Sequence, residues 1–130
     1  MDDRVRYWIE LSDYDLETAE AMLRTGRYLY VGFMCHQAIE KVLKAYFQHI
    51  RDSIPPKTHN LRLLANETGL LPGLPSEHMA FLLELEPLNI ETRYPNGKER
   101  LQGFLNQQKS SYLIKMTQGL HQWIKEKLSE

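Results

Sequence analysis

Phe33-Met34-Cys35-His36-Gln37-Ala38-Ile39-Glu40-Lys41-Val42-Leu43-Lys44-Ala45-Tyr46-Phe47 reads as an apolar helix that carries one narrow polar stripe. At the helical advance of about 100° per residue, Gln37, Lys41, Lys44 and Gln48 fall almost on one line. His36 and Glu40 sit along one flank of that line. Nearly everything else from Leu29 to Ile50 is apolar, small or aromatic. A helix that is apolar nearly all round belongs inside a fold, and burying Lys or Glu is costly unless each finds a partner. The stripe is therefore either a gap through which a central helix sees water or the lining of a polar groove.

Working outward, helical periodicity continues in both directions. A first helix is expected from Asp3 to Arg24, with Val5, Trp8, Ile9, Leu16, Ala19, Met22 and Leu23 on its apolar face. Ser12 lies inside that face and Asp15 at its edge. Gly26 is the stop, and the polar-striped helix follows from about Tyr28 to Ile50. Pro55-Pro56 breaks the chain. Thr58-His59-Asn60 starts a further helix that continues through Leu61, Leu64 and Ala65 to Gly69. After the breaker Pro72-Gly73-Leu74-Pro75, Ser76 is placed as the N-cap of a helix reaching about Asn89. Pro95 and Asn96-Gly97 make the stretch to about Gln107 an irregular loop, of the kind that in a small domain often carries function. The last helix runs from about Gln108 to Leu128, with Leu113, Met116, Leu120, Trp123, Ile124 and Leu128 at core spacing. There is no convincing strand, no repeat and no low-complexity tract. The expectation is an all-α, up-and-down antiparallel bundle of four to five helices, in one domain over residues 1–130.

The totals fit such a bundle. The 130 residues suffice for one real core, and 25% charged with 42% hydrophobic residues is ordinary for a globular chain. A net charge of −1 gives no global pull toward nucleic acid or membrane. Charge is uneven, however: residues 1–24 are mainly acidic, whereas Arg93, Lys98, Arg100, Lys109 and Lys115 stand against Glu99 alone in 93–115. Cys35 is the sole cysteine, which suits a reducing, cytoplasmic setting, and it is expected to pack as a small hydrophobe. Met1-Asp2-Asp3 lacks the basic and apolar regions of a signal peptide, and no run is long enough to span a bilayer.

No phosphate-binding glycine loop, dinucleotide fingerprint or nucleophile elbow is present. The histidines His36, His49, His59, His78 and His121 make no helical zinc motif, so no metal or cofactor is expected. His36 and Glu40, four residues apart, are read as a surface or groove hydrogen bond.

One ordered set of residues resembles a known family. Tyr7-Trp8 opens the first helix, Asp15-Leu16-Glu17-Thr18-Ala19 lies inside it, and Gly26-Arg27-Tyr28 makes the turn. His36-Gln37-Ala38-Ile39-Glu40-Lys41-Val42-Leu43-Lys44-Ala45 follows, then Thr58-His59-Asn60-Leu61 and Arg93-Tyr94-Pro95. Together, across nearly the whole chain, they resemble the HEPN (higher eukaryote and prokaryote nucleotide-binding) domain of the stand-alone prokaryotic type. The resemblance implies a bundle of about five helices, usually a homodimer. Members include metal-independent endoribonucleases, toxins of toxin–antitoxin pairs and partners of small nucleotidyltransferases. The family's ribonucleases use an Arg followed, roughly four to six residues on, by His. Here no His follows Arg93 until His121, and Arg51 is separated from His59 by Pro55-Pro56.

Two functions follow as expectations. In a nucleotide- or RNA-binding module with a nucleotidyltransferase partner, Lys41 and Lys44 would face phosphate and Arg93 would donate in bidentate fashion. Gln37 and Tyr94 would contact a base or sugar, and His59 would sit at a helix N-terminus, where anions are favoured. The competing structural reading pairs Lys41 or Lys44 with Asp15 or Glu40 across the bundle. In a metal-independent endoribonuclease with an atypical site, His59 or Tyr94 would be the base and Arg93 the stabilising cation. Tyr94 is also a candidate for modification by a partner nucleotidyltransferase. A third reading is a structural dimer with a seam of Tyr112, Met116 and Trp123, or of Trp8.

Overall fold

The computed structural model describes residues 1–91 and 103–130. The described residues form five α-helices and no strand: α1 (Asp3–Arg24), α2 (Tyr28–Arg51), α3 (Leu61–Glu67), α4 (Ser76–Glu91) and α5 (Gln107–Leu128), with a short 3₁₀ turn at Leu71–Gly73. Asp2 caps α1 by accepting from the Arg4 N–H, Asn60 caps α3 through the Leu63 N–H, and Asn106 caps α5 through the Lys109 N–H. Gly26, at φ +75°, makes the tight α1–α2 turn in a backbone region that costs a side chain energy. Ser76 is the first residue of α4 rather than its cap; the Pro75 carbonyl accepts from the Met79 N–H, one residue earlier than expected. Pro87 lies inside α4 yet does not end it. The carbonyl it leaves without a donor belongs to Leu83, which is exposed, so water can serve in place of the missing N–H.

The helices run up and down. α5 is antiparallel to α1, with Gln118 bonded to Glu20 and Lys125 to Asp13. It is also antiparallel to α4, with Lys109 and Tyr112 on Glu84 at one end and His78 against Trp123 at the other. α2 packs on all four other helices and is the axis of the molecule. Val31, Cys35, Ile39, Val42 and Leu43 join Leu61, Leu64, Phe81, Leu85, Leu113, Leu120 and Ile124 in one core. Each Leu or Ile buried there contributes roughly 1.5–3 kcal/mol relative to exposure. Two close approaches set the spacing. Ser12, fully buried on α1, donates to the Ala38 carbonyl of α2 at 2.6 Å. Gly32 on α2 admits Leu88 of α4 so closely that a Cβ would stand 2.7 Å from its Cδ1.

The connection between α2 and α3 positions the polar stripe's covering. Asp52 adopts the left-handed conformation at the end of α2, and Arg51 donates through Nε and Nη2 to the Glu67 carbonyl. These anchors lead residues 52–60 back over the stripe side of α2, and α3 leaves from there.

Candidate functional site

The polar stripe of α2 is neither a simple window to water nor an open groove. His36, Glu40, Lys44 and Gln48 are buried, and only Gln37 and Lys41 at its edge are half-buried. α1 covers one side of the stripe, and the 52–60 segment with α3 and α4 covers the other. The physical requirement that buried charges be paired is met residue by residue. Lys41 Nζ bonds to Asp15 Oδ2 of α1. Lys44 Nζ lies 3.0 Å from Glu40 Oε2, one turn back on the same helix. It also stands 5.6 Å from the Trp8 ring, a cation–π contact. Both lysines thus have the carboxylate partners of the structural reading.

Glu40 is the centre of the arrangement. Its second oxygen, Oε1, accepts from Nδ1 of His59 at 2.8 Å. In the neutral form of the ring, donation through Nδ1 would leave Nε2 as the acceptor. The Glu40 side chain is only 4% exposed, whereas that of His59 is 55% exposed. A buried carboxylate therefore holds an imidazole that reaches solvent. Lys44 and His59, far apart in sequence, converge on this one carboxylate. Gln37 is turned the other way, its Nε2 donating to Asn89 Oδ1 of α4 at 3.0 Å.

The expected His36–Glu40 hydrogen bond is absent: Nδ1 and Oε1 stand 3.9 Å apart, beyond bonding distance. His36 is instead fully buried and directs Nε2 at Glu86 Oε2 of α4, 3.3 Å away, while its Nδ1 has no partner among the described residues. Glu86 also accepts from the Leu61 N–H, at 2.7 Å to Oε1. The start of α3, expected as a seat for an anion, already holds the carboxylate of Glu86 and the side chain of Asn60. Glu86 was not singled out from the sequence. Nothing in the spacing marks it, because only the return of the 52–60 segment brings Leu61 to the middle of α4.

Arg93 and Tyr94 lie outside the described residues. Among those described, no three His, Cys, Asp or Glu side chains are arranged to hold a metal ion. No helix among them is long and apolar enough to cross a membrane. Cys35 is buried in the core as expected, and burial pushes its thiol up to about 12, so it stays protonated and unreactive. Tyr112 is exposed at the α4–α5 edge, while Met116 and Trp123 pack partly against the core.

The fold is shared with two solved proteins. TT1696 from Thermus thermophilus superposes with a TM-score of 0.82 at 21% sequence identity, over 97% of this chain and 99% of that one. ST0689, an archaeal HEPN homologue, superposes with a TM-score of 0.75 at 22% identity, over 98% and 99%. No curated protein sequence matches the chain significantly. The HEPN domain family model matches residues 5–128, the span that contains α1 through α5 almost entire, and the chain belongs to the HEPN family.

Proposed function

We propose that this HEPN chain is a nucleotide- or RNA-binding module of the cytoplasm that acts as a homodimer beside a small nucleotidyltransferase, in a toxin–antitoxin-like pair. The observation that carries the reading is the convergence of Lys44 and His59 on Glu40 in a chain of this family. The basic segment that includes Arg93 would add a planar, bidentate donor for phosphate. With Lys41 and Lys44 engaged by Asp15 and Glu40, their contribution to an anion is a local field rather than two free ammonium groups. The test is recovery of the tagged protein from its native host, with intact-mass analysis of everything that accompanies it. A small nucleotidyltransferase, or a mass increase matching AMP on a tyrosine such as Tyr94, supports the reading. Recovery of the unmodified homodimer alone counts against the partner.

One observation favours a second reading, a metal-independent endoribonuclease. Glu40 Oε1 lies 2.8 Å from His59 Nδ1, a contact that in the neutral ring would turn Nε2 outward as a general base. Abstraction of the 2′-hydroxyl proton by Nε2 would let the 2′-oxygen attack phosphorus. The bond to the 5′-oxygen then breaks, leaving a 2′,3′-cyclic phosphate and a 5′-hydroxyl protonated from water. If this is the activity, His59→Ala and Arg93→Ala each abolish RNA cleavage with the far-UV helix signal unchanged. Equal residual cleavage in both identifies a contaminant.

A further inference from the structure

The candidate site makes no use of His36, a fully buried imidazole that stands between two carboxylates. Its Nε2 lies 3.3 Å from Glu86 Oε2 of α4. Its Nδ1, without a hydrogen-bond partner, faces Glu40 Oε1 of its own helix at 3.9 Å. A neutral imidazole has one N–H and one lone pair. Either neutral tautomer therefore turns a lone pair toward a carboxylate. Only the imidazolium, a donor at both nitrogens, suits both neighbours.

The same two carboxylates anchor the end of the 52–60 segment and the start of α3. Glu40 Oε1, the atom that faces His36, accepts from His59 Nδ1 at 2.8 Å. Glu86 takes the Leu61 N–H at 2.7 Å through Oε1 and at 3.3 Å through Oε2, the atom that faces His36. Among the described residues, the charged groups against His36 are Glu40 from α2 and Glu86 from α4. Lys44 and His59 reach it through Glu40, α3 presents the neutral Leu61 N–H, and α1 and α5 place no ion-pair partner on it. With Lys44 ionised, Glu40 and Glu86 leave one negative charge over. One imidazolium neutralises it and two overshoot, which is costly where water is scarce.

We propose that His36 is a proton-operated switch on the hold that Glu40 has on His59. A proton on His36 makes Nδ1 a donor. The gap to Glu40 Oε1, roughly 1 Å longer than a hydrogen bond, then closes, and the oxygen is drawn away from His59. The two rings thus compete for one carboxylate, and each, once charged, lowers the proton affinity of the other. The coupling stands on this geometry alone. Its role as regulation of the candidate site rests on the ribonuclease reading, in which His59 is the base.

The test is an NMR titration of the ¹⁵N-labelled full chain between about pH 8 and 5, followed at the ring nitrogens of His36 and His59 and at the Leu61 amide. In the wild type both rings should show the two shared steps of a coupled pair, and the Leu61 amide should follow the His36 step. His36→Gln keeps a donor toward Glu86 and removes one titrating ring. His59→Ala, at a half-exposed position that leaves the core intact, removes the other. Each variant should reduce the remaining ring to a single step. The ring that takes the second proton in the wild type should then take it about half a pH unit or more higher, a roughly threefold gain in proton affinity. Independent single steps in the wild type overturn the proposal, whether or not His36→Gln folds. So does a His36 that stays neutral to about pH 5 even in His59→Ala. RNA cleavage separates the two layers. If His59 is the base, the acid limb of the cleavage rate moves with the His59 titration in His36→Gln. Coupled rings in a chain that cleaves nothing keep the switch and remove the ribonuclease reading. Uncoupled rings in a chain that cleaves overturn the switch and keep that reading.

Discussion

His59 Nδ1 and Glu40 Oε1 lie 2.8 Å apart, joining a half-exposed imidazole to a carboxylate that solvent barely reaches. The same carboxylate binds Lys44. Glu40 thus both pairs a buried cation and holds the His59 ring, and the two contacts separate experimentally.

Removing the Glu40 charge strands Lys44 in the interior. Breaking one partner of a buried pair costs roughly 3–5 kcal/mol. Glu40→Ala should therefore lower the urea midpoint steeply, whereas Lys44→Met combined with Glu40→Leu should recover most of the loss. His59→Ala removes a mostly exposed side chain and should change stability by less than about 1 kcal/mol. A stability loss for His59→Ala as large as that for Glu40→Ala would assign His59 to the scaffold.

His121 on α5 gives the chain an acid-sensitive element. The group is buried, and burial pushes its pKa below the ordinary value; Lys125 acts in the same direction, and Asp13, 3.2 Å from Nε2, opposes both. The folded state thus prefers the neutral ring. Its contribution to stability is fully present above the unfolded pKa of about 6.5 and is lost as pH falls from there through the lowered folded value. Urea midpoints of wild type and His121→Gln, measured from neutral to mildly acidic pH, should converge as pH falls. A difference that stays constant or widens contradicts this.

Gly32 sets two effects against each other. Gly32→Ala gains about 1 kcal/mol of helix propensity, but the new methyl meets Leu88 Cδ1 at 2.7 Å. Overpacking of that kind costs typically about 1–3 kcal/mol. The substitution should be neutral to destabilising in the wild type and stabilising by about 1 kcal/mol in a Leu88→Ala background. The sign reversal between backgrounds is the measurement.

Cys35 should be silent in the native protein. Its thiol is fully buried and held up to about 12, so reaction with a disulfide reagent at neutral pH should proceed only through unfolding. A native-state rate independent of urea would show a path to the thiol that the packing does not provide.

The sequence by itself determined the helices and the core. Apolar spacing marked α1, α2 and α5 nearly to the residue. Pro55-Pro56, Gly26 and Asn60 marked the breaks and starts, because these residues act through local backbone sterics and capping, which need no tertiary context. It also pointed to α2 as the central helix and to Lys41, Lys44 and His59 as residues that needed an account. What only the tertiary structure decided is who partners whom. The Lys41–Asp15 pair was legible as one option among others, but Glu86 as the shared partner of His36 and the α3 amide was not. Nor was the meeting of Trp8 with Gln48, far along the chain on the next helix. Such contacts depend on where the 52–60 segment lays its residues and on the angles at which helices cross. Those are set by the summed packing of many side chains, and no local pattern in the chain encodes them.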